Sequence, residues 1–584
     1  MTLFPKRTQP NADHITNILK EAAILVMMSV VALVLYHFGT DFEIANPDGI
    51  RWVPIVFSLS PLVFAYILLR LPLGSITSSV LTLGITGILI WINDYKTALT
   101  GAPLSWSDMI NRDNIAMSST FVSVWLLVFI GIGLVIACVI FWRIFKYHLA
   151  LRSWRSVIVH LVALLFVAPL ALQPYLEDIS PAADAKLMDF LNRYGIMYFT
   201  WNWSENIRMN GFPMHLVQTS YRYMPSKPSA KDEAAFNAIA PTPEHHATPK
   251  HVFYVLCEAC WYDQKHFAQA VKPLEHVGMT ALRGVSPGYG GGTANSAFEM
   301  LTGLPSKGAL QGIIYQEYAT LIANKTRTIP SAMRDKGYKT FALHNFSKTF
   351  WQRDIVMTKL GFDEFLGIED MNYAGPTYFP RDTVLYKTAL DILKKHINEK
   401  TFFNLETVYS HASYQPDHDE GQKDYARRLS TTMQDLAKFI TDVRKISPDA
   451  LFVVYGDHKP ILTKYFYDEG VLPPEVFIAT GEGNGDFSFA HSASQDLLGD
   501  VPVWIGSPHS ELVSHVSSAS HKPLYCITSA IDNVFLTSQN HASRYANEHL
   551  CANYTPGKYA ETAKAMPAWL YAFSLFTTST LDDD

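Results

Sequence analysis

The chain has 584 residues, too many for one hydrophobic core, so two or more domains are expected. Lysine and arginine (47) nearly balance aspartate and glutamate (53), which argues against a nucleic-acid partner. Only 17% of residues are charged, and the apolar ones crowd into roughly the first 175 positions, which argues against an entirely soluble protein.

Five apolar stretches in that region are each near the length that crosses about 30 Å of hydrocarbon as a helix. They run over Ile18–His37, Trp52–Leu71, Ile76–Ile92, Val122–Phe145 and Val157–Leu172. The first follows a polar lead with no small-residue cleavage site after it, so it reads as an anchor rather than a cleaved signal. Lys6, Arg7 and Lys20 precede it, and Arg143, Lys146, Arg152 and Arg155 lie between the fourth and fifth stretches. Asp41, Glu43 and Asp48 fill the first loop. This bias puts the N-terminus in the cytoplasm and, with five spans, everything after Leu172 on the outer face.

Aromatic residues from Tyr194 to Tyr221 suggest helices lying at the membrane interface or packed on the soluble domain. The Pro-rich segments Pro225–Ser229 and Ala240–Pro243 mark a domain boundary. The expected division is 1–173 for a five-span membrane domain, 174–249 for an interfacial linker, 250–540 for a catalytic domain, and 541–584 for a tail packed on it or trailing.

Beyond Lys250 the pattern changes. His251–Cys257, Lys339–Leu343, Thr401–Leu405, Leu451–Tyr455 and Val501–Ile505 read as buried strands alternating with helices, which predicts a mostly parallel sheet with helices on both faces. In such sheets the chemistry sits beyond the carboxyl ends of the strands. Those ends carry Glu258, His344, Ser410-His411 and Asp457-His458. The hard oxygens of Glu258 and Asp457 with the His458 imidazole suit Mn²⁺, Mg²⁺ or Zn²⁺. The run Gly290-Gly291-Gly292-Thr293 sets one hydroxyl at a helix start, where unpaired amides and the helix dipole favour a phosphate.

Four motifs together resemble the lipoteichoic acid synthase family, membrane phosphoglycerol transferases of the alkaline phosphatase and sulfatase superfamily. They are VFYVLCEACWYD with Glu258, GYGGGTANSAFEMLTGLPS with Thr293, HNFSKTFWQRD with His344, Trp351 and Arg353, and YSHASY (His411) with YGDHKP (Asp457, His458). The resemblance implies a multi-pass helical membrane domain followed by an α/β sulfatase-like domain outside the bacterial inner (plasma) membrane. It implies that Thr293 is both nucleophile and ligand of one divalent ion, Mn²⁺ first, with Glu258, Asp457 and His458 completing the shell. His344, Trp351, Arg353 and His411 would surround the phosphoglycerol group, with His411 favoured over His344 as the proton donor to the leaving alkoxide. The implied donor is phosphatidylglycerol, and the acceptor a hydroxyl of a cell-envelope glycan, glycolipid or polyglycerol phosphate. A phosphoethanolamine transferase is the alternative, although those relatives tend to carry more cysteine pairs. The chain departs from the family in Cys257-Glu258-Ala259-Cys260, which flanks the expected metal carboxylate with two cysteines. That pair could bind metal or close a disulfide; Cys526 and Cys551 are the better disulfide candidates.

Overall fold

A computed structural model describes residues 10–47, 49–100, 103–110, 154–200, 202–221, 224–239, 249–376, 379–412, 414, 421–483, 486–490, 493–536 and 539–576. The chain divides into two compact units, Met1–Arg222 and Tyr223–Asp584.

The first unit is helical: α1 (Pro10–Thr40), α2 (Trp52–Arg70), α3 (Ser75–Thr100) and α4 (Trp154–Ala171). Within the first three, Leu19–Thr40, Trp52–Arg70 and Ser75–Thr97 are long and apolar enough to cross a membrane. α4 covers the fifth predicted stretch and breaks sharply, by 86°, into the short helices Gln173–Ile179, so that the pair counts as at most one further span. The fourth predicted stretch, Val122–Phe145, lies outside the described residues. Two short helices, α5 (Trp203–Asn210) and α6 (Phe212–Ser220), belong to this unit and pack on α2. Their buried faces mix apolar side chains such as Ile207, Phe212 and Met214 with a polar network. Buried Asn206 hydrogen-bonds His215 and Gln218, Asn210 donates to Asn206, and His215 reaches the Leu104 carbonyl. These bonds offset most of the desolvation cost of burying the side chains, although Asn210 Oδ1 accepts none.

The second unit is built on an eight-stranded sheet. Its strands are β1 (His251–Cys257), β2 (Thr280–Val285), β3 (Tyr338–His344), β4 (Glu364–Leu366), β5 (Lys400–Glu406), β6 (Leu451–Gly456), β7 (Asp500–Gly506) and β8 (Lys522–Pro523). Their spatial order is β8-β2-β7-β6-β1-β5-β3-β4. The run β6-β1-β5-β3-β4 is parallel, so four strand ends that matter share one edge. Seven of the eight strands run in one sense, so the sheet is mostly parallel as expected, but β7 runs antiparallel to both of its neighbours and makes it mixed. The sequence pattern could not show this, because a strand buried on both faces is a continuous apolar run in either direction. β2, β4 and β8 also escape a sequence reading: β2 carries Arg283 and Gly284, and the other two are two or three residues long.

Alternate residues of β1 feed two cores. Val252, Tyr254 and Leu256 face one, while Phe253, Val255 and Cys257 face the other. α7 (Thr293–Thr302) and α9 (Leu524–Ile531) cover the first face, and α8 (Gln422–Ile446) covers the second. The C-terminal residues Tyr559, Leu570, Tyr571 and Leu575 are buried in the first core, and Phe236 of the helix Ala230–Asn237 stacks there on His541 and meets Phe573. Disulfides join Cys257 to Cys260 and Cys526 to Cys551. The first pair is thereby unavailable as thiolate ligands.

One buried acid makes stability depend on pH. Glu299 of α7 is fully buried; its Oε1 accepts from the Ser306 amide and hydroxyl and from the Tyr559 hydroxyl, while Oε2 has no partner. Burial raises its pKa from the ordinary 4.5 to about 7. A carboxyl raised on folding stabilises fully below its unfolded pKa, and that contribution is lost as pH rises through about 7. Glu299→Gln imitates the protonated form, so it is expected to remove this slope and to exceed the parent protein by about 3 kcal/mol at pH 8. Unfolding midpoints at pH 5 and pH 8 check this.

Candidate active site

Strand alternation decides which side chains meet. Residues 254 and 256 of β1, 402 and 404 of β5 and 453 and 455 of β6 line the α7 face, so Glu258, Glu406 and Asp457 emerge on that same face at the carboxyl edge. β3 pairs with β5 so that His344 stands opposite Glu406. α7 then delivers Thr293 from above. Its N-cap, Gly292, has φ 88°, a left-handed conformation that a side chain would oppose. The preceding turn is bound to the loop after β6 through the Gly290 amide, which donates to the Lys459 carbonyl at 3.1 Å.

The structure brings together Glu258, Thr293, Asp457 and His458. One ligand atom each from Glu258, Asp457 and His458 lies within 4.8 Å of the others, and all three residues are buried. Thr293 Oγ1 donates to Glu258 Oε2 at 3.2 Å and lies 3.4 Å from His458 Nε2. His458 Nδ1 sits 2.9 Å from the Lys459 carbonyl. A carbonyl only accepts, so Nδ1 carries the proton and Nε2 presents its lone pair to the cluster. Asp457 Oδ1 accepts from the amides of Ala259 (2.7 Å) and His458 (3.0 Å), leaving Oδ2 without a hydrogen bond, as is Glu258 Oε1. Two buried carboxylate oxygens and a bare imidazole nitrogen facing one another form a set that a divalent cation satisfies. The burial of Glu258, with the Asp457 charge beside it, holds its pKa well above the ordinary glutamate value.

Several residues frame this cluster, and of them only Ser410 stands among the strand-end residues that the sequence marks. Thr407 Oγ1 accepts from the Glu258 amide at 2.9 Å, and Ser410 Oγ donates to the Glu258 carbonyl at 2.5 Å, so the loop after β5 grips both backbone groups of Glu258. Ser296 Oγ fixes the Asp457 carbonyl at 2.7 Å. Asp382 accepts from the amides of Val408 and Tyr409 and so shapes the approach to His411; burial raises its pKa to about 6. Ala259 holds φ 50°, an unusual backbone for a residue with a side chain, and its amide is the one bound to Asp457.

The four remaining predicted residues lie at the end of β3, in the segment after β3 and in the loop after β5. His344 Nδ1 donates to the Glu406 carbonyl at 2.9 Å, which leaves Nε2 as an acceptor; burial and the Arg353 charge hold it well below the ordinary histidine pKa. His411 is half-buried, donates from Nδ1 to the Ala412 carbonyl and packs on Phe379 at 4.4 Å between ring centroids; burial lowers its pKa. Trp351 has φ 56° and lies against the guanidinium of Arg353, 5.1 Å from carbon to ring centroid. Arg353 itself is buried and already paired: Nε donates to Glu406 Oε2 at 2.8 Å and Nη1 to the Phe350 carbonyl at 3.2 Å. Its charge is nevertheless felt at Glu258 and at His344, within the same electrostatic field. Glu406 is the residue that the sequence pattern alone does not mark, because its partner lies 53 positions away.

These features define an α/β domain with a compact cluster of metal-binding character beyond its strands, on a chain whose first unit holds helices long and apolar enough to cross a membrane. Residues 250–487 match the sulfatase family model. The chain is similar to a Rhizobium meliloti protein provisionally named a cyclic beta-1,2-glucan modification protein, 27% identical over 312 residues, covering 48% of this chain and 47% of that one. It is also similar to the lipoteichoic acid synthase of Staphylococcus saprophyticus, 25% identical over 196 residues, covering 29% and 28% of the two chains. The chain thus spans about half or less of the length of these curated relatives. Among solved structures, the Streptococcus pyogenes phosphoglycerol transferase GacH, in complex with sn-glycerol-1-phosphate, aligns with a TM-score of 0.42 at 19% identity, over 60% of this chain and 95% of that one.

Proposed function

We propose that the protein transfers a phosphoglycerol group from phosphatidylglycerol to a hydroxyl of a cell-envelope glycan, glycolipid or polyglycerol phosphate, on the outer face of the bacterial plasma membrane. The observation that carries this reading is the Thr293 hydroxyl, set at a helix start and within 3.2 Å and 3.4 Å of two members of a buried set of metal-binding character. Glu258, Asp457, His458 and Thr293 would hold one divalent ion, Mn²⁺ by preference. When bound, that ion supplies Lewis acidity toward a phosphate oxygen and lowers the pKa of the hydroxyl beside it.

Thr293 Oγ1 attacks phosphorus and the bond to the diacylglycerol oxygen breaks, leaving a glycerophosphoryl-threonine. The threonine proton passes to solvent. Protonated His411 gives its Nε2 proton to the departing oxygen, and diacylglycerol leaves. An acceptor hydroxyl then attacks the same phosphorus, His411 Nε2 takes its proton, and the threonine oxygen departs and is reprotonated. Because burial lowers the His411 pKa, the neutral base that serves the second half prevails at neutral pH. The first amides of α7 and the Arg353 guanidinium orient the anionic group. A membrane-anchored chain holds the site near its lipid donor and raises the effective concentration of that donor.

Membranes containing the protein, given phosphatidylglycerol or phosphatidylethanolamine labelled in the headgroup, test the donor. Transfer of the glycerol label to a non-lipid or glycolipid product supports the reading. Transfer of the ethanolamine label alone replaces it with a phosphoethanolamine transferase.

A further inference from the structure

Arg353 and Glu406 form an ion pair in which each side chain is only 1% exposed. Burying such a pair is weak evidence of stabilisation, since the desolvation it costs commonly offsets the attraction. Its position suggests another use. Glu406 stands opposite Leu256 in the register, so it is one strand across and two residues back from Glu258, ~8 Å between backbones. Tyr455, next to Gly456 and Asp457, experiences the charges of both Glu406 and Asp457. The pair therefore sits inside the electrostatic field of the Glu258–Asp457–His458 cluster.

The charges can be counted. His344, His411 and His458 each place Nδ1 against a backbone carbonyl, and counted in the neutral form, with His411 protonated only to serve the leaving oxygen, they add none. Arg428, which binds the His411 carbonyl, shares Asp424 with Arg427, and Asp382 behind the His411 loop adds one negative charge, so these outer groups also sum to zero. A divalent cation against Glu258 and Asp457 leaves no net charge, and Arg353 with Glu406 leaves none either. With Arg353 unopposed, the same site would carry one positive charge.

We propose that Glu406, acting through Arg353, sets a preference for singly charged phosphodiesters over doubly charged phosphomonoesters. This rests on the phosphotransferase reading above and adds the residue that enforces its substrate charge. A diester donor and a diester product are each monoanions about the phosphorus, whereas free phosphate and glycerol phosphate are dianions at pH 8. A neutral site gains little from that second charge and so gives them no advantage over the diester. Glu406 is a positioning residue: it fixes the guanidinium by Nε and offsets its charge without itself touching the donor.

Glu406→Gln isolates the charge. Asn404 Nδ2 donates to Glu406 Oε1 at 3.1 Å, and the buried Asn404 Oδ1 has no partner. An amide flip of Asn404 would let that oxygen accept from the new glutamine, while the glutamine oxygen keeps the Arg353 bond. The test is calorimetric titration of the full-length protein in detergent with Mn²⁺ at pH 8, using glycerol phosphate as monoester and glycerophosphoglycerol as diester. Glu406→Gln is expected to shift the ratio of dissociation constants toward the monoester by roughly three- to thirtyfold, the attraction of one further charge at ~8 Å. Arg353→Gln should move it the other way, and carries the test if Glu406→Gln does not fold. The double variant Arg353→Gln/Glu406→Gln, with the parent net charge, should return to the parent ratio although both affinities fall. A ratio unmoved in the single variants would overturn the role of Glu406 alone. Failure of the Mn²⁺-loaded parent to bind either ester would overturn the phosphotransferase reading and this inference with it.

Discussion

Thr293→Ala protein is expected to release diacylglycerol from phosphatidylglycerol at least ~10⁴-fold more slowly than the parent, since removing a covalent nucleophile leaves only binding and electrostatic stabilisation. The loss should be one of chemistry and not of folding. Thr293 Oγ1 donates one hydrogen bond, to the Glu258 carboxylate at 3.2 Å, so its removal costs about 1–3 kcal/mol of stability at most. The neighbouring Ala294 and Ala297 show that small side chains are accommodated in the buried first turns of α7. Thr293→Ser retains the hydroxyl and should keep measurable turnover. Headgroup-release rates for the three proteins, with melting midpoints alongside, check this; full turnover by the alanine variant would remove Thr293 from the mechanism.

Removal of the metal should have a comparably large effect, and a pH dependence of known sign. Chelation is expected to lower turnover by at least ~10²-fold, with recovery on adding Mn²⁺. Burial and the Asp457 charge raise the Glu258 pKa, so in the metal-free protein a proton competes for the carboxylate that the ion needs. Metal affinity should therefore fall as pH is lowered and rise until Glu258 is fully ionised. Asp457→Asn weakens the neighbouring negative charge as well as a ligand, so it should bind the ion more weakly and with a shallower dependence on pH. A bound ion at a hundred times its Kd adds about 2.7 kcal/mol to the unit that holds it, which a melting curve with and without Mn²⁺ can read. Equal affinity at pH 5.5 and pH 8 would contradict the assignment of these carboxylates.

The parts of this architecture that were legible in the sequence are those in which one local pattern determines the outcome. HVFYVLC and LFVVYG are continuous apolar runs buried on both faces, and the parallel pairing of their strands sets Glu258 and Asp457 side by side. Glycines at 290 and 292 supply the positive φ that the turn into α7 requires, and this too is a local property. Direction was not local: β7 alternates and packs as any buried strand does, and only its neighbours make it antiparallel. Nor were the supports. The grip of Thr407 and Ser410 on Glu258 spans about 150 positions, and the Arg353–Glu406 pair joins the first residue of the helix Arg353–Lys359 to a strand end, which no periodicity connects. Arg353 illustrates the limit. Its residue type suits a phosphate, but the structure shows one edge of its guanidinium committed to a carboxylate, which changes what the residue offers a ligand.

The most direct measurement of the central claim is a trapped intermediate. Full-length protein with Mn²⁺ would be mixed with phosphatidylglycerol in the absence of acceptor, quenched in acid, digested and mapped by mass spectrometry. The mechanism predicts one glycerophosphoryl group on the peptide containing Thr293, absent from the Thr293→Ala protein and discharged when acceptor is added before the quench. Diacylglycerol release with that peptide unmodified, or with the group on another residue, would contradict it.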